Sequence, residues 1–238
     1  MKYVMLALLV SFNVSAVERL VFDNWEIDYN CEMRGYEYFH YTTVKDQGEL
    51  PRYKPFHQEH KLPKECRQLT TGTYKQPIGV QNYDRGHGVH SNIWDHNNTL
   101  MKQSNSFANI VPQAKKLNRS GVWRQTEILT ECYRDEGEVE VWGGVIWGDN
   151  AENDKFIYSH GVVTPDYLWK VIKFPDGNAQ AWLMPNDDSP TKALMDNYLV
   201  KPSTITKYTG YSFRTISLAE LNEKDTHSFK KPKYCSIK

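Results

Sequence analysis

Several absences narrow the class of this chain before any motif is read. Its 238 residues carry no formal net charge, with 29 Lys and Arg balanced by 29 Asp and Glu. A protein that grips a polyanion through its overall charge is thereby excluded, and any such contact needs a local basic patch. The four cysteines form no Cys-x-x-Cys pair, which argues against a zinc knuckle or a thioredoxin-type site. Beyond the first residues no apolar run reaches the roughly 20 residues of a membrane-spanning helix. There is no internal period and no low-complexity tract. What remains is ordinary globular composition, 24% charged and 13% aromatic, on a chain long enough for one sizeable core.

The amino terminus stands apart. MKYVMLALLVSFNVSA places Lys2 before an apolar run from Tyr3 to Val10 and ends in Val14-Ser15-Ala16. This reads as a secretory signal peptide cut after Ala16, leaving residues 17–238 as a single soluble domain, secreted or periplasmic. In an oxidising compartment Cys31, Cys66, Cys132 and Cys235 are expected to form two disulfides, with three connectivities open. A bridge at Cys235 would pin a lysine-rich tail that has little else to hold it.

Along the chain, YEYFHYTT (36–43) reads as an early strand. Residues 44–82 are rich in Pro, Lys, Gln and Gly and read as a long irregular connection, a class of segment that often carries function. GVWRQTEILTECYRDE has helical spacing, with Gly137 as its stop. VEVWGGVIWG (139–148), FIYSHGVV (156–163), YLWKVIKF (167–174) and AQAWLMP (179–185) read as strands, and SPTKALMDNYL as a weak helix. Connections this short exclude helical crossovers, so the expectation is α+β, a central antiparallel sheet flanked by helices.

The chemistry concentrates in YDRGHGVHSNIWDH (83–96). A histidine can take a proton from water near neutrality. The neighbouring arginine offers a planar fork suited to phosphate, and Gly86 permits close backbone approach. Asp84 can orient either group. Lys115, Lys116, Arg119 and Arg124 form a local basic patch downstream, or else a solvated loop and helix start. A zinc site from His87, His90, His96 and Asp95 is a weaker reading, because the spacing lacks a helical i, i+4 pair and no cysteine sits nearby.

Taken together, Asp84-Arg85-Gly86-His87, Asn109-Ile110-x-Pro112-Gln113, Leu117-Asn118, Trp123 and Glu127 resemble the DNA/RNA non-specific endonucleases, the Serratia-type branch of the ββα-metal nucleases. The strand ending in Gly148, PDYLWKVIKF, AWLMPN and TGYSF (209–213) are also similar, so the likeness runs from about residue 22 onward. The resemblance implies a magnesium-dependent hydrolase that acts on DNA, with RNA also open, and leaves 5′-phosphate products. Manganese can replace magnesium at an oxygen-rich site. His87 would be the general base, Asn118 the protein ligand to the metal, and Glu127 the holder of water on that metal. Arg85 would contact the phosphate and Asn109 would help orient the site. Lys115, Lys116, Arg119 and Arg124 are the further substrate contacts. A binding-only protein on the same fold is the rival, though it would have no need of His87, Asn118 and Glu127 together.

Two departures from the family pattern matter. Asn118 and Glu127 are nine residues apart here rather than the family's eight. On a continuous helix eight steps differ by about 80° and nine by about 180°, which would put the two on opposite faces. The extra residue is therefore expected to be absorbed at Arg119-Ser120-Gly121, with Ser120 capping a helix that begins after it. The second departure is Glu131, which stands where the family commonly has arginine. Arg124 or Arg134 is expected to supply that charge. Asn118-Arg119-Ser120 is also a glycosylation sequon, so a working site requires a host that lacks the modification or an amide closed to it.

Overall fold

The computed structural model describes residues 17–77 and 79–237, and the signal-peptide reading lies outside the described residues. Seven strands form one antiparallel sheet in the order β1 (Val17–Val21), β2 (Trp25–Asn30), β3 (Gly35–Thr42), β6 (Glu140–Ile146), β7 (Tyr167–Lys173), β8 (Ala179–Pro185) and β9 (Leu199–Val200). Between β3 and β6 the chain leaves the sheet. It builds a separate antiparallel pair, β4 (Tyr83–His87) with β5 (Ile110–Ala114), and the helices α1 (Asn98–Ser104), α2 (Lys115–Arg119) and α3 (Val122–Tyr133). The fold is α+β, as the strand succession implied.

Each sheet face buries its own core. Trp25, Ile27, Phe39, Val141, Leu168, Ile172 and Trp182 pack with Val122, Trp123 and Leu129 of α3. The alternate residues Tyr38, Trp142, Trp169, Val171 and Ala181 pack on the other side with Ile205 of α5 (Pro202–Thr209), Phe213 and Ile216. Period-two alternation thus sends successive residues of one strand into different layers. It also explains why YLWKVIK reads as an almost unbroken apolar run: β7 is covered on both faces.

The two expected disulfides are present as Cys31–Cys66 and Cys132–Cys235. The first ties the irregular connection to the sheet, where the Tyr29 hydroxyl also donates to the Cys66 carbonyl at 2.8 Å. The second ties the carboxy-terminal tail to the end of α3.

One local expectation is corrected, one is sharpened, and two strands are added. FIYSHGVV is not a strand: Ile157–His160 form one helical turn, α4, which ends at Gly161 with φ 74°. Its apolar residues are spoken for by packing, since Phe156 and Val162 are buried with Tyr74, Phe107 and Ile110. The weak helix read in SPTKALMDNYL is present as a 3-10 helix over Lys192–Tyr198. Strands β1 and β2, which precede the first strand read from the sequence, complete one edge of the sheet. Among the described residues no helix is long and apolar enough to cross a membrane.

Candidate active site

A cleft of about 590 Å³ opens where β4, the start of α3 and the irregular connection meet. Asp84, Arg85, His87, Asn118, Arg124 and Glu127 all line it. The β4–β5 register sets Asp84 opposite Gln113, Arg85 opposite Pro112 and His87 opposite Ile110. Gly86 is required between them, because a Cβ there would strike the Gln113 side chain.

His87 is buried, 7% exposed, and its Nε2 lies 2.9 Å from Asn105 Oδ1. The Asn105 amide nitrogen already donates to the carbonyls of Tyr53 (2.8 Å) and Pro55 (3.2 Å), so Oδ1 is the accepting end. His87 Nε2 must therefore carry the proton, which leaves Nδ1 as the basic nitrogen. Burial pushes the imidazole down to about 4 against the opposing pull of Asn105, and the Arg52 charge lowers it further. At neutral pH the ring is unprotonated, the state a general base needs.

Asn109 is fully buried, and among the described residues its side-chain hydrogen bonds all go to backbone. Its Oδ1 accepts from Val89 N–H (2.9 Å), and its Nδ2 donates to the carbonyls of Val89 and Ser104 (both 2.8 Å). It fixes the loop that follows His87.

Asp84 holds the opposite wall. Its Oδ2 accepts from Asn118 Nδ2 (2.9 Å) and Arg119 Nε (2.7 Å), and its Oδ1 accepts from Arg119 Nη2 (2.6 Å). Holding the amide nitrogen in this way leaves Asn118 Oδ1, the only acceptor atom on that side chain, for the cleft. The helix breaks where the extra residue required it, between Arg119 and Val122. Ser120 is not the cap, however. Gly121 holds that position and the Pro190 carbonyl takes the Val122 N–H at 2.9 Å, while the Ser120 hydroxyl turns back to Lys116. A Cβ on residue 121 would collide with that carbonyl, which accounts for the glycine. Asn118 and Glu127 thereby reach the same cleft from separate helices.

Arg85 donates to the Thr71 carbonyl at 3.1 Å and stacks on Phe56, with 3.9 Å from guanidinium carbon to ring centroid. Phe56 also packs against His87. Arg124 Nη1 reaches Glu127 Oε2 at 3.2 Å and Glu131 Oε1 at 3.0 Å. Glu131 further accepts from Asn92 Nδ2 (2.6 Å) and lies 3.4 Å from His90 Nε2. Burial pushes the Glu131 carboxyl up, but His90 and Arg124 outweigh it and hold it down at about 2.

Of the two arginines expected to replace the family's, Arg124 lies in the cleft. Arg134 turns away to the Ile93 carbonyl, Asp95 and Asp46 and is buried. Arg124→Ala is accordingly expected to lower cleavage about 10- to 100-fold, and also to lower the melting temperature, because it leaves the buried Glu131 carboxylate to Asn92 and His90. Arg134→Ala should leave folded-state cleavage alone and cost about 3 kcal/mol of stability by stranding the buried Asp95 carboxylate and emptying a buried site. Paired cleavage and denaturation measurements decide, and equal rates in both variants would refute the assignment.

Lys115 and Lys116 are exposed beside the cleft rather than in its lining; Lys116 pairs with Asp188 at 3.6 Å. Arg119 is bound by Asp84 at the rim. The histidines do not gather as a zinc site: His90 faces Tyr41 and Glu131, Asp95 serves Arg134, and His96 packs on Trp94. Among the described residues no group of three His, Cys, Asp or Glu side chains could hold a metal ion. Two contributors were not read from the sequence. Asn105 sits beside the Asn109 motif without a spacing of its own, and Arg52, which lines the cleft, belongs to the connection whose length alone suggested function.

A family model described as DNA/RNA non-specific endonuclease matches residues 9–217. The chain belongs to this family. It is accordingly an endonuclease that hydrolyses nucleic acid, on the ββα-metal fold formed by β4, β5 and the helices after them. Among solved structures it is similar to a chain of "Crystal structure of the EndoG/EndoGI complex: Mechanism of EndoG inhibition", at 19% identity and a TM-score of 0.69. That alignment covers 88% of this chain and 92% of the other, and identity at this level speaks for the fold alone. A comparison with curated proteins finds no match.

Proposed function

We propose that this endonuclease is exported and cleaves DNA, with RNA also open, by magnesium-dependent attack of water on the phosphodiester, leaving 5′-phosphate and 3′-hydroxyl ends. The observation carrying this reading is the single cleft lined by an unprotonated His87, by Asn118 and Glu127, and by Arg85. His87 Nδ1 takes the proton from the attacking water, while Asn105 keeps the ring in the required tautomer. Arg85 and Arg124 meet the phosphate oxygens, and Lys115, Lys116 and Arg119 extend the contact along the strand. Gripping backbone rather than base edges accounts for weak sequence preference.

The donor set fits a hard divalent cation. Asn118 offers one neutral amide oxygen, and Glu127, lining the same cleft, would hold water on the ion, a pattern suited to a cation that sheds its hydration reluctantly. Magnesium bound there supplies Lewis-acid stabilisation of the leaving oxygen and of the charged transition state. Manganese has the same ligand preference. Two disulfides support export, because such bonds persist in oxidising compartments.

A plasmid-nicking assay tests the reading. Cleavage is expected with magnesium or manganese, to stop in EDTA, and to leave ends that a ligase can reseal. Nicking that survives EDTA would refute the metal-assisted route.

A further inference from the structure

One inward position of β7 is out of keeping with its neighbours. Lys170 is 0% exposed and lies on the α3-facing side of the sheet with Leu168 and Ile172. Its Nζ is 3.7 Å from the centroid of the Trp123 ring and has no hydrogen-bond partner among the described residues. An aromatic face attracts a cation, but it does not replace the hydrogen bonds that a buried ammonium gives up. An apolar side chain of similar length would fill the position at lower cost. Packing alone therefore gives no reason for a charge there.

The position of Trp123 supplies one. Trp123 and Glu127 are four residues apart on α3, so they lie one above the other on a single helix face. Glu127 lines the cleft, and Trp123 carries the lysine beneath it. Burial pushes the Lys170 amine down to about 8, with Glu127 opposing that shift, so the group is protonated at neutral pH. Arg124 and Glu131 are the other charges acting on it. The Tyr36 hydroxyl, also buried and without a hydrogen-bond partner, is raised by burial and by the same Glu127 carboxylate. Glu127 is thus paired with Arg124 at the cleft, while the buried ammonium stands on the Trp123 ring one helical turn away and acts on it through charge rather than through a hydrogen bond.

We propose that Lys170 is a positioning residue for cleavage: its ammonium, seated on Trp123, supplies from the core side the fixed positive charge that holds the Glu127 carboxylate in place at the cleft. This rests on the reading of Glu127 as the group that holds metal-bound water in the cleft.

The test compares Lys170→Met, Lys170→Arg, Glu127→Gln and the Lys170→Met/Glu127→Gln double variant in the full protein, at single turnover. Lys170→Met is expected to lower kcat about 10- to 100-fold with KM for DNA nearly unchanged. Lys170→Arg should recover part of that loss. In the Glu127→Gln background Lys170→Met should add nothing, because both changes remove one function. In the metal-free protein the Glu127 carboxyl carbon resonance should shift on Lys170→Met, while the melting temperature holds or rises. Lys170→Gln serves the same comparison where methionine impairs folding. Unchanged kcat with an unmoved Glu127 resonance overturns the proposal, as does an equal loss in both backgrounds. Full activity in Glu127→Gln alone refutes the underlying reading of Glu127, and that result is visible without touching Lys170.

Discussion

His87→Ala is expected to reduce kcat for phosphodiester cleavage by about 10²- to 10⁴-fold, the usual worth of a positioned general base. Binding of DNA should change little, because the arginines that meet the backbone remain. The pH profile gives a sharper check. Burial and the Arg52 charge hold the imidazole down at about 4, and the base works only when unprotonated. Cleavage by the free enzyme should therefore stay level through neutral pH and fall as pH drops through about 4. A profile falling near the ordinary histidine value would show the ring to be solvated and the buried geometry wrong.

Stability carries the same sign. The folded-state value lies below the ordinary 6.5, so the unfolded chain takes up the proton first on acidification. The contribution is fully present above about 6.5 and is lost as pH falls toward 4, about 3 kcal/mol in all. His87→Ala should flatten that part of the stability curve as well as slowing cleavage.

How far this site was legible depended on the distance over which each signal acts. Strands β6, β7 and β8 could be read because short β-rich runs fell between Gly, Pro, Asn and Asp, and α3 because its apolar residues recur at helical spacing. His87, Asn118 and Glu127 came from a motif order that the cleft then gathers. The nine-residue gap between Asn118 and Glu127 even located the helix break, although not its cause: the Pro190 carbonyl comes from seventy residues away and leaves no local mark. Strands β1 and β2 do alternate, with Trp25, Ile27 and Tyr29 inward, but Glu26 and Asp28 pair with Arg19 on the outer face and lend the segment a loop-like polarity. FIYSHGVV misled for the converse reason. Its apolar residues belong to a tertiary cluster, and a left-handed glycine closes a helical turn inside it. Asn105 was out of reach altogether, since its meaning is the orientation of its amide, fixed by two carbonyls fifty residues upstream.

Removing the Cys132–Cys235 bridge is the change expected to cost most stability. It joins residues 103 apart in sequence, and a loop of that length restricts the unfolded chain by about 4.7 kcal/mol in the chain-entropy model. For a protein of this size that corresponds to a fall in melting temperature on the order of 10–20 °C. The double variant Cys132→Ala/Cys235→Ala is the one to measure, because either single change leaves a thiol free to form other disulfides. Cys132 lies on α3 five residues beyond Glu127, so an effect of the bridge on the carboxylate proposed for the site has to be considered. Its neighbours argue against it. Val122, Trp123 and Leu129 anchor α3 in the core, and the tail keeps further ties to the helix end: the Tyr234 hydroxyl donates to the Cys132 carbonyl at 3.1 Å, the Tyr133 hydroxyl to the Lys230 carbonyl at 3.2 Å, and Phe229 packs on Tyr133. Cleavage at 25 °C by the folded double variant should stay within about twofold of the parent, with the loss confined to thermal unfolding. A drop in kcat without a drop in melting temperature would reverse that assignment and make the tail part of the site.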